Sequence, residues 1–335
     1  MRITAQLVDA RSDKNLWSDR WDRPDEDIFA VQAEISEQIA NRLGGGAGLV
    51  QEAGRIAAHR KPPSNLTAYE FYLLGTEKLE QITRADLEEA IRLLERAVEI
   101  DPGFARAWIE LVQSHKVLAG FGVEPEKHNR IAADAAARAV RLDPSDAEAH
   151  SVLGWTLMEQ GDLMGAKAEM DAALSLAPGA AEILTFYGAM ASGFGEPDRG
   201  ADMVDQAIRL NPNYPMWSAA PFSRAYFMAG RYEDALRMID RLTPDNYWRV
   251  TWVMHPSALA AIGRVDEAKT WVQKALVRHP ELTIEGWANE PVFNDAERQR
   301  FIDTMRLAGF PPCAKPEALA KIERPLRLPE CESQP

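Results

Sequence analysis

Cysteine is nearly absent from this chain. Cys313 and Cys331 are the only two in 335 residues, so no disulfide framework holds the fold together. Long apolar runs are missing too. No stretch approaches the roughly 20 residues that a bilayer-spanning helix needs, so no membrane insertion by this chain is expected. Met1 leads into alternating polar and apolar residues without a signal core. The chain reads as soluble and cytoplasmic by default, or periplasmic if a longer parent protein carries an upstream membrane span. Positive charge is in deficit: 38 Lys and Arg stand against 51 Asp and Glu, a formal net charge of -13. That balance argues against a general nucleic-acid or anionic-membrane surface. Catalytic signatures are lacking as well, with no G-x-S-x-G, no Walker loop and no H-E-x-x-H. The glycines from Gly44 to Gly48 neither follow a strand nor precede Lys-Ser/Thr, so they are no phosphate cradle. The six histidines, His59, His115, His128, His150, His255 and His279, have no second ligand at zinc-site spacing. His150 falls where a large core residue of a first helix belongs. The expectation is a non-enzyme with no cofactor and no metal.

What is present is a period. Pro144, Pro178 and Pro212 are 34 residues apart. Between them Ala166, Ala173 and Pro178 keep steps of 7 and 5, as do Gly200, Ala207 and Pro212. The same steps recur at Ala90, Ala97 and Pro102, at Ala132, Ala139 and Pro144, and at Ala268, Ala275 and Pro280. Ala235 and Leu242 keep the first step, with Tyr247 in the place of the proline. A repeat of this length marks stacked helix pairs. A small side chain at the first position lets paired helices approach closely. The second lets the next unit dock, and proline stops the second helix and restarts the chain. Gly161, Gly195, Gly230 and Gly263 fall in the turns inside units. The pattern resembles the tetratricopeptide repeat over about two-thirds of the chain. It implies an all-α fold, a right-handed α-α superhelix of about six helix pairs over residues 66–280. Three departures stand out. Unit two has eight residues in excess, expected as a protruding loop from Gly120 to Lys127. Pro221 should kink or delay the first helix of unit five. The proline at Tyr247 is missing. Residues 281–311 read as a capping region, with a helix over Asp295 to Pro311, and residues 312–335 as a proline-punctuated tail.

The first 48 residues read differently. Ile3, Ala5 and Leu7 alternate with polar residues, and Trp17, Asp19 and Trp21 share one face across a polar break, which describes a hairpin. A helix follows, with acids Asp25 to Asp27 at its start and a stripe of Ile28, Val31, Ile35, Ile39 and Leu43. Arg2-Ile3-Thr4-Ala5-Gln6-Leu7-Val8-Asp9-Ala10, then Leu16-Trp17-Ser18-Asp19-Arg20-Trp21-Asp22, then Asp27-Ile28-Phe29-Ala30-Val31-Gln32 resembles the end of a TolB-like domain. In many bacterial class III adenylate/guanylate cyclases and related transcriptional regulators, that domain precedes tetratricopeptide repeats. The resemblance implies a small β-hairpin plus helix remnant of an α/β domain, with strands missing upstream, and so a truncated reading frame. It also implies a cyclase domain that this chain has no segment left to supply. Residues 49–65 read as a linker, with Arg55, His59, Arg60 and Lys61 as a solvated basic helix end.

Tetratricopeptide arrays bind peptides or helices on the concave face. Mapped onto this chain, the resemblance offers Arg106, Ile109, Gln113 and Lys116 in unit two, Glu148, Ser151, Trp155 and Met158 in unit three, and Glu182, Thr185 and Phe186 in unit four. Ordinary helix-face packing competes with ligand contact at each. Ile109 and Gln113 stand where chaperone-binding members carry a carboxylate clamp, which argues against a chaperone tail as ligand. Cys313 and Cys331 either pair, tying the tail into a loop, or remain free thiols. The functional expectation is a protein-protein interaction scaffold with a protein or peptide partner. Its alternatives are an adenylate cyclase by descent that acts with a separate catalytic chain, and a fragment with no role.

Overall fold

The computed structural model describes residues 2–9, 13–22, 35, 36, 38–40, 49–59, 61–62, 66–290, 292–320, 322 and 324–332. The chain opens with an antiparallel hairpin of β1 (Arg2–Asp9) and β2 (Lys14–Asp22). Ile3 stands opposite Trp21, Ala5 opposite Asp19 and Leu7 opposite Trp17, with an irregularity after Leu7. Trp21 is buried, and its indole N–H donates to Gln38 Oε1 at 2.8 Å. Most of the expected Asp25–Leu43 helix and the glycine cluster that ends it lie outside the described residues. Residues 35, 36 and 38–40 are helical, with Ile35 buried.

α1 (Leu49–Ala58) packs on α2 (Ala68–Glu80). Arg55, expected to be solvated, is instead buried between them. Its Nη1 and Nη2 donate to the Glu80 carboxylate at 2.9 and 2.6 Å, and Nη2 also reaches Thr76 Oγ1 at 3.2 Å. No local pattern signals this, because the acid that receives Arg55 lies 25 residues away.

Six helix pairs follow. α2 pairs with α3 (Arg84–Ile100), α4 (Ala105–Gly120) with α5 (Pro125–Leu142), and α6 (Ala147–Glu159) with α7 (Leu163–Leu176). α8 (Ala181–Met190) pairs with α9 (Pro197–Leu210), α10 (Ala219–Met228) with α11 (Tyr232–Ile239), and α12 (Arg249–Ala261) with α13 (Val265–Arg278). The small residues sit where the period required them. Ala90, Ala132, Ala166, Ala235 and Ala268 have no exposed surface at all. At Gly200 even a methyl group is too large: a Cβ there would lie 2.6 Å from the Gly188 carbonyl oxygen. Among the described residues no helix is long and apolar enough to cross a membrane.

The departures resolve in instructive ways. The surplus of unit two is not a protruding loop. α4 and α5 have 16 and 18 residues, whereas α6 and α7 have 13 and 14. Only residues 121–124 connect them, so the extra chain forms extra helical turns. Gly122 at φ 78° makes the turn possible. Pro221 does delay its helix. Met216–Ser218 form a 3-10 turn, and α10 starts at Ala219, which leaves Pro221 in the first turn, where no N–H is needed. At the missing proline, a 3-10 turn at Pro244–Asn246 stops the chain instead, and Tyr247 is buried with its hydroxyl 3.0 Å from His255 Nδ1. α12 also accommodates Pro256 within its length.

The stack ends in α14 (Ile284–Ala288), α15 (Asp295–Ala308) and α16 (Pro316–Leu319). α15 packs on α12 and α13, as a cap must. The buried Glu297 at its first turn accepts from Ser192 Oγ at 2.6 Å and Arg224 Nη2 at 2.9 Å, across more than 70 residues of chain. The tail is held down as well. The fully buried Glu285 accepts from Arg327 Nε (2.7 Å), Leu328 N (3.1 Å) and Ala314 N (3.0 Å). Cys313 and Cys331 are bonded, with Cα atoms 5.4 Å apart.

Gly200→Ala is expected to lower unfolding free energy by about 1–3 kcal/mol in urea titrations, because backbone rather than a flexible side chain must yield; an unchanged midpoint would contradict the packing. Replacing both cysteines by serine opens a loop of 18 residues. It should cost about 3 kcal/mol at the tail, visible as faster tryptic cleavage after Arg327, with the secondary structure of the stack retained.

Candidate functional site

Four residues beyond Pro102, Pro144 and Pro178 lie Arg106, Glu148 and Glu182, each the second residue of its helix. Stacking sets these first-helix positions side by side along the inner face. Arg106 Nη1 is 2.6 Å from the Glu148 carboxylate and 3.8 Å from that of Asp146. One turn along α4 from Arg106 is Glu110, only 5% exposed. Burial pushes its carboxyl up to about 7, and the negative charges of Glu148 and Glu80 oppose the relief offered by Arg106 and Arg55. Glu182 is also raised, by burial first and then by the carboxylate of Glu148 against it.

Above this floor the inner face encloses a cavity of ≈ 980 Å³. Its aromatic wall comes from four units. Trp155 lies 5.4 Å from Phe186 between ring centroids, and Phe186 stacks 5.6 Å from Trp217. Trp248, at the start of α12, stacks on Trp155 at 6.1 Å with planes 10° apart. A methyl on Gly120 at the end of α4 would lie 3.5 Å from the same Trp248 ring. Unit six therefore reaches back to units two and three through Trp248, and the groove narrows to a partly open chamber.

Of the expected groove residues, Gln113, Trp155 and Phe186 line this chamber, as do Met158 and Glu182. Arg106 and Glu148 form the ion pair beneath it. Lys116 and Thr185 are drawn into the packing. Lys116 is buried, pairs with Glu159, donates to Asn129 Oδ1 at 3.0 Å and sits 5.3 Å above the Trp155 ring. The Thr185 hydroxyl donates to the Ala181 carbonyl at 2.6 Å. Ile109 and Ser151 are buried between helices. Sequence reasoning missed Glu110, Trp217 and Trp248. Glu110 was findable, four residues after Arg106 on one helix face. The two tryptophans enter from connecting segments, where helical periodicity is silent.

The histidines hold one contact that spacing hid. His115 on α4 and His128 on α5 are both buried, with Nδ1 atoms 2.7 Å apart. Burial and then His128 hold His115 down at about 4. His150 is half-buried and ties two helices, with Nδ1 2.6 Å from Glu169 and Nε2 2.9 Å from the Pro144 carbonyl oxygen. Among the described residues no group of three or more His, Cys, Asp or Glu is placed to hold a metal ion.

The family model of the tetratricopeptide repeat matches residues 127–181 and 152–215. The fold is a tetratricopeptide-repeat solenoid. A putative adenylate cyclase 3 from Rhizobium meliloti (strain 1021) is 33% identical over 162 residues, 47% of this chain and 27% of that protein. The transcriptional regulator HilA of Salmonella typhimurium is 24% identical over 172 residues, 51% of this chain and 31% of that protein. The matched segment thus spans less than a third of these curated relatives. Among solved structures, the Cut9–Hcn1 hetero-tetramer of the APC/C matches with a TM-score of 0.52 and 16% identity, over 82% of this chain and 48% of that one. That likeness concerns the fold alone.

Protonation of this interior has a predictable sign. Glu110 is raised in the fold, so its neutral form is favoured. Its contribution is fully present below the unfolded carboxyl value and is lost as pH rises through about 7. Glu182 acts in the same direction. His115 is depressed, so its contribution is present above 6.5 and is lost as pH falls toward 4. Unfolding free energy should therefore fall by about 2 kcal/mol as pH rises from 6.5 through the raised values of these two carboxyls, a window in which His115 is silent. Glu110→Gln should make that fall smaller without abolishing it, since Glu182 remains, and should leave the acid limb unchanged; an unaltered fall would show the Glu110 carboxyl to be ionised throughout.

Proposed function

We propose that this solenoid is a protein-binding module that holds a segment of a partner in its inner chamber, as the regulatory or scaffolding part of a cyclase-associated bacterial signalling protein. The observation that carries the reading is the chamber itself, enclosed by aromatic side chains from units three to six. Large, stiff rings at the centre of a concave surface are the side chains that anchor a bound segment most strongly. Its volume stands at the upper end of the range of ligand pockets and accommodates a short stretch of chain. The association with a cyclase is supported by the named relatives, one a putative adenylate cyclase and another a transcriptional regulator. It is supported further by the N-terminal hairpin, read as the end of a TolB-like domain.

The same relative motivates a second reading, in which the chain takes part in nucleotide cyclisation. Turnover of ATP or GTP with Mg²⁺ or Mn²⁺ by the purified chain, above a no-protein background, would establish that reading and overturn the first. The first predicts that the immobilised chain retains a subset of a random dodecapeptide pool. Retained peptides should change tryptophan fluorescence, and Trp155→Ala should weaken them roughly tenfold or more without loss of helical circular dichroism. Binding indifferent to Trp155 would move the site off the inner face.

A further inference from the structure

The chamber has a charge defect at its floor. Four carboxyl side chains, Glu110, Asp146, Glu148 and Glu182, gather around the single guanidinium of Arg106. That guanidinium is already committed, at 2.6 Å to Glu148 and 3.8 Å to Asp146. The next cation in range of Glu110 is Arg55, which is held by both oxygens of Glu80. Glu110 is 95% buried and lines the chamber, yet among the described residues its carboxyl receives no hydrogen bond and forms no ion pair. A buried acid left in this state is costly to a fold. The arginines that face the chamber do not serve it. Arg224 is bound to Glu297, Arg249 to Glu290, and Arg278 is exposed at the rim. The aromatic wall is continuous with this floor, because Phe186 follows Glu182 by one helical turn and Trp155 packs on Phe186.

We propose that the bound segment supplies the absent positive charge: an arginine or lysine of the partner enters the chamber, sets its cationic head against Glu110 and Glu182, and lays its apolar stem along Phe186 and Trp155. This deepens the groove reading above and rests on it. Three features favour a basic side chain over an acidic or purely apolar one. The floor offers acceptors and no free donor charge. Tryptophan faces attract cations, and Lys116 already lies over Trp155 in this manner. A long side chain with a charged tip matches a site whose walls are apolar and whose base is lined by carboxyl groups, which a cation beside them would draw into the ionised form.

The random dodecapeptide pool tests this on the full chain. Peptides retained by the native protein should share one arginine or lysine at a fixed place. Exchanging that residue for citrulline or norleucine should weaken binding at least roughly tenfold; this comparison leaves the protein unaltered. A chain carrying Glu110→Gln and Glu182→Gln, with its helical signal checked, should bind the basic and the citrulline peptide alike. Retained peptides without a basic residue, or equal binding of the arginine and citrulline forms to the native chain, overturn the inference while leaving the groove reading intact. Retention of no peptide at all overturns both.

Discussion

The distance between paired helices governs this molecule. Wherever a second helix meets its partner, the side chain at the contact is alanine or glycine with no accessible surface, and at Gly200 the space is smaller than a methyl group. Close approach brings the backbones within dispersion range and gives each unit a similar shape, so units stack with a nearly constant rotation. Curvature follows from that repetition. Once the array is curved, the first helices of successive units share an inner face, and residues 34 apart in the chain become neighbours in space. Glu148 and Glu182 meet for this reason, and Arg106 joins them because the extra turns of α4 and α5 shift its numbering but not its place in the stack.

Regular stacking alone gives an open groove. Closure comes from the two units that break the pattern. Pro221 delays α10, and the segment before it turns inward as a 3-10 turn that presents Trp217. The loss of the proline at Tyr247 lets the chain reach α12 by another 3-10 turn, and Trp248 caps that helix while stacking on Trp155. The end of the stack is fixed by the same economy of long-range polar contacts. Glu297 joins α15 to the turn after α8 and to α10, and Glu285 gathers the tail. Removing either acid would leave buried donors unpaired in two parts of the chain at once.

Periodicity made the solenoid legible before any coordinates. Ala166, Ala173 and Pro178 carry the information locally, because helix packing and helix termination are decided by residues a few positions apart. The turn glycines were equally plain, and Gly161, Gly195, Gly230 and Gly263 all adopt positive φ. Unit one is the exception that composition could not reveal: its turn is made by Ile82 at φ 52°, a costly conformation for a β-branched residue. The site was legible only in part. Trp155, Phe186 and Gln113 follow from their place on first helices. Thr185 and Lys116 occupy similar places, but their partners, Ala181 O within the helix and Glu159 beside it, claim them. Trp217 and Trp248 depend on how irregular segments fold back, which no period encodes.

The unbalanced floor of the chamber is best understood against the stability of the whole. A solenoid buries less per residue than a globule, since each unit meets only its neighbours, and it gains little from buried ion pairs. An interior acid without a partner among the described residues is therefore a net cost that selection on stability alone would replace with leucine or methionine, as at Leu73 and Met170, which are buried in the same stack. The neutral state into which burial drives Glu110 limits that cost without removing it. The cost also has a location. It falls on the inner face, beside the aromatic wall of Trp155, Phe186, Trp217 and Trp248. A strain of this kind, concentrated where a partner would sit, is what distinguishes a surface shaped for recognition from one shaped only to fold.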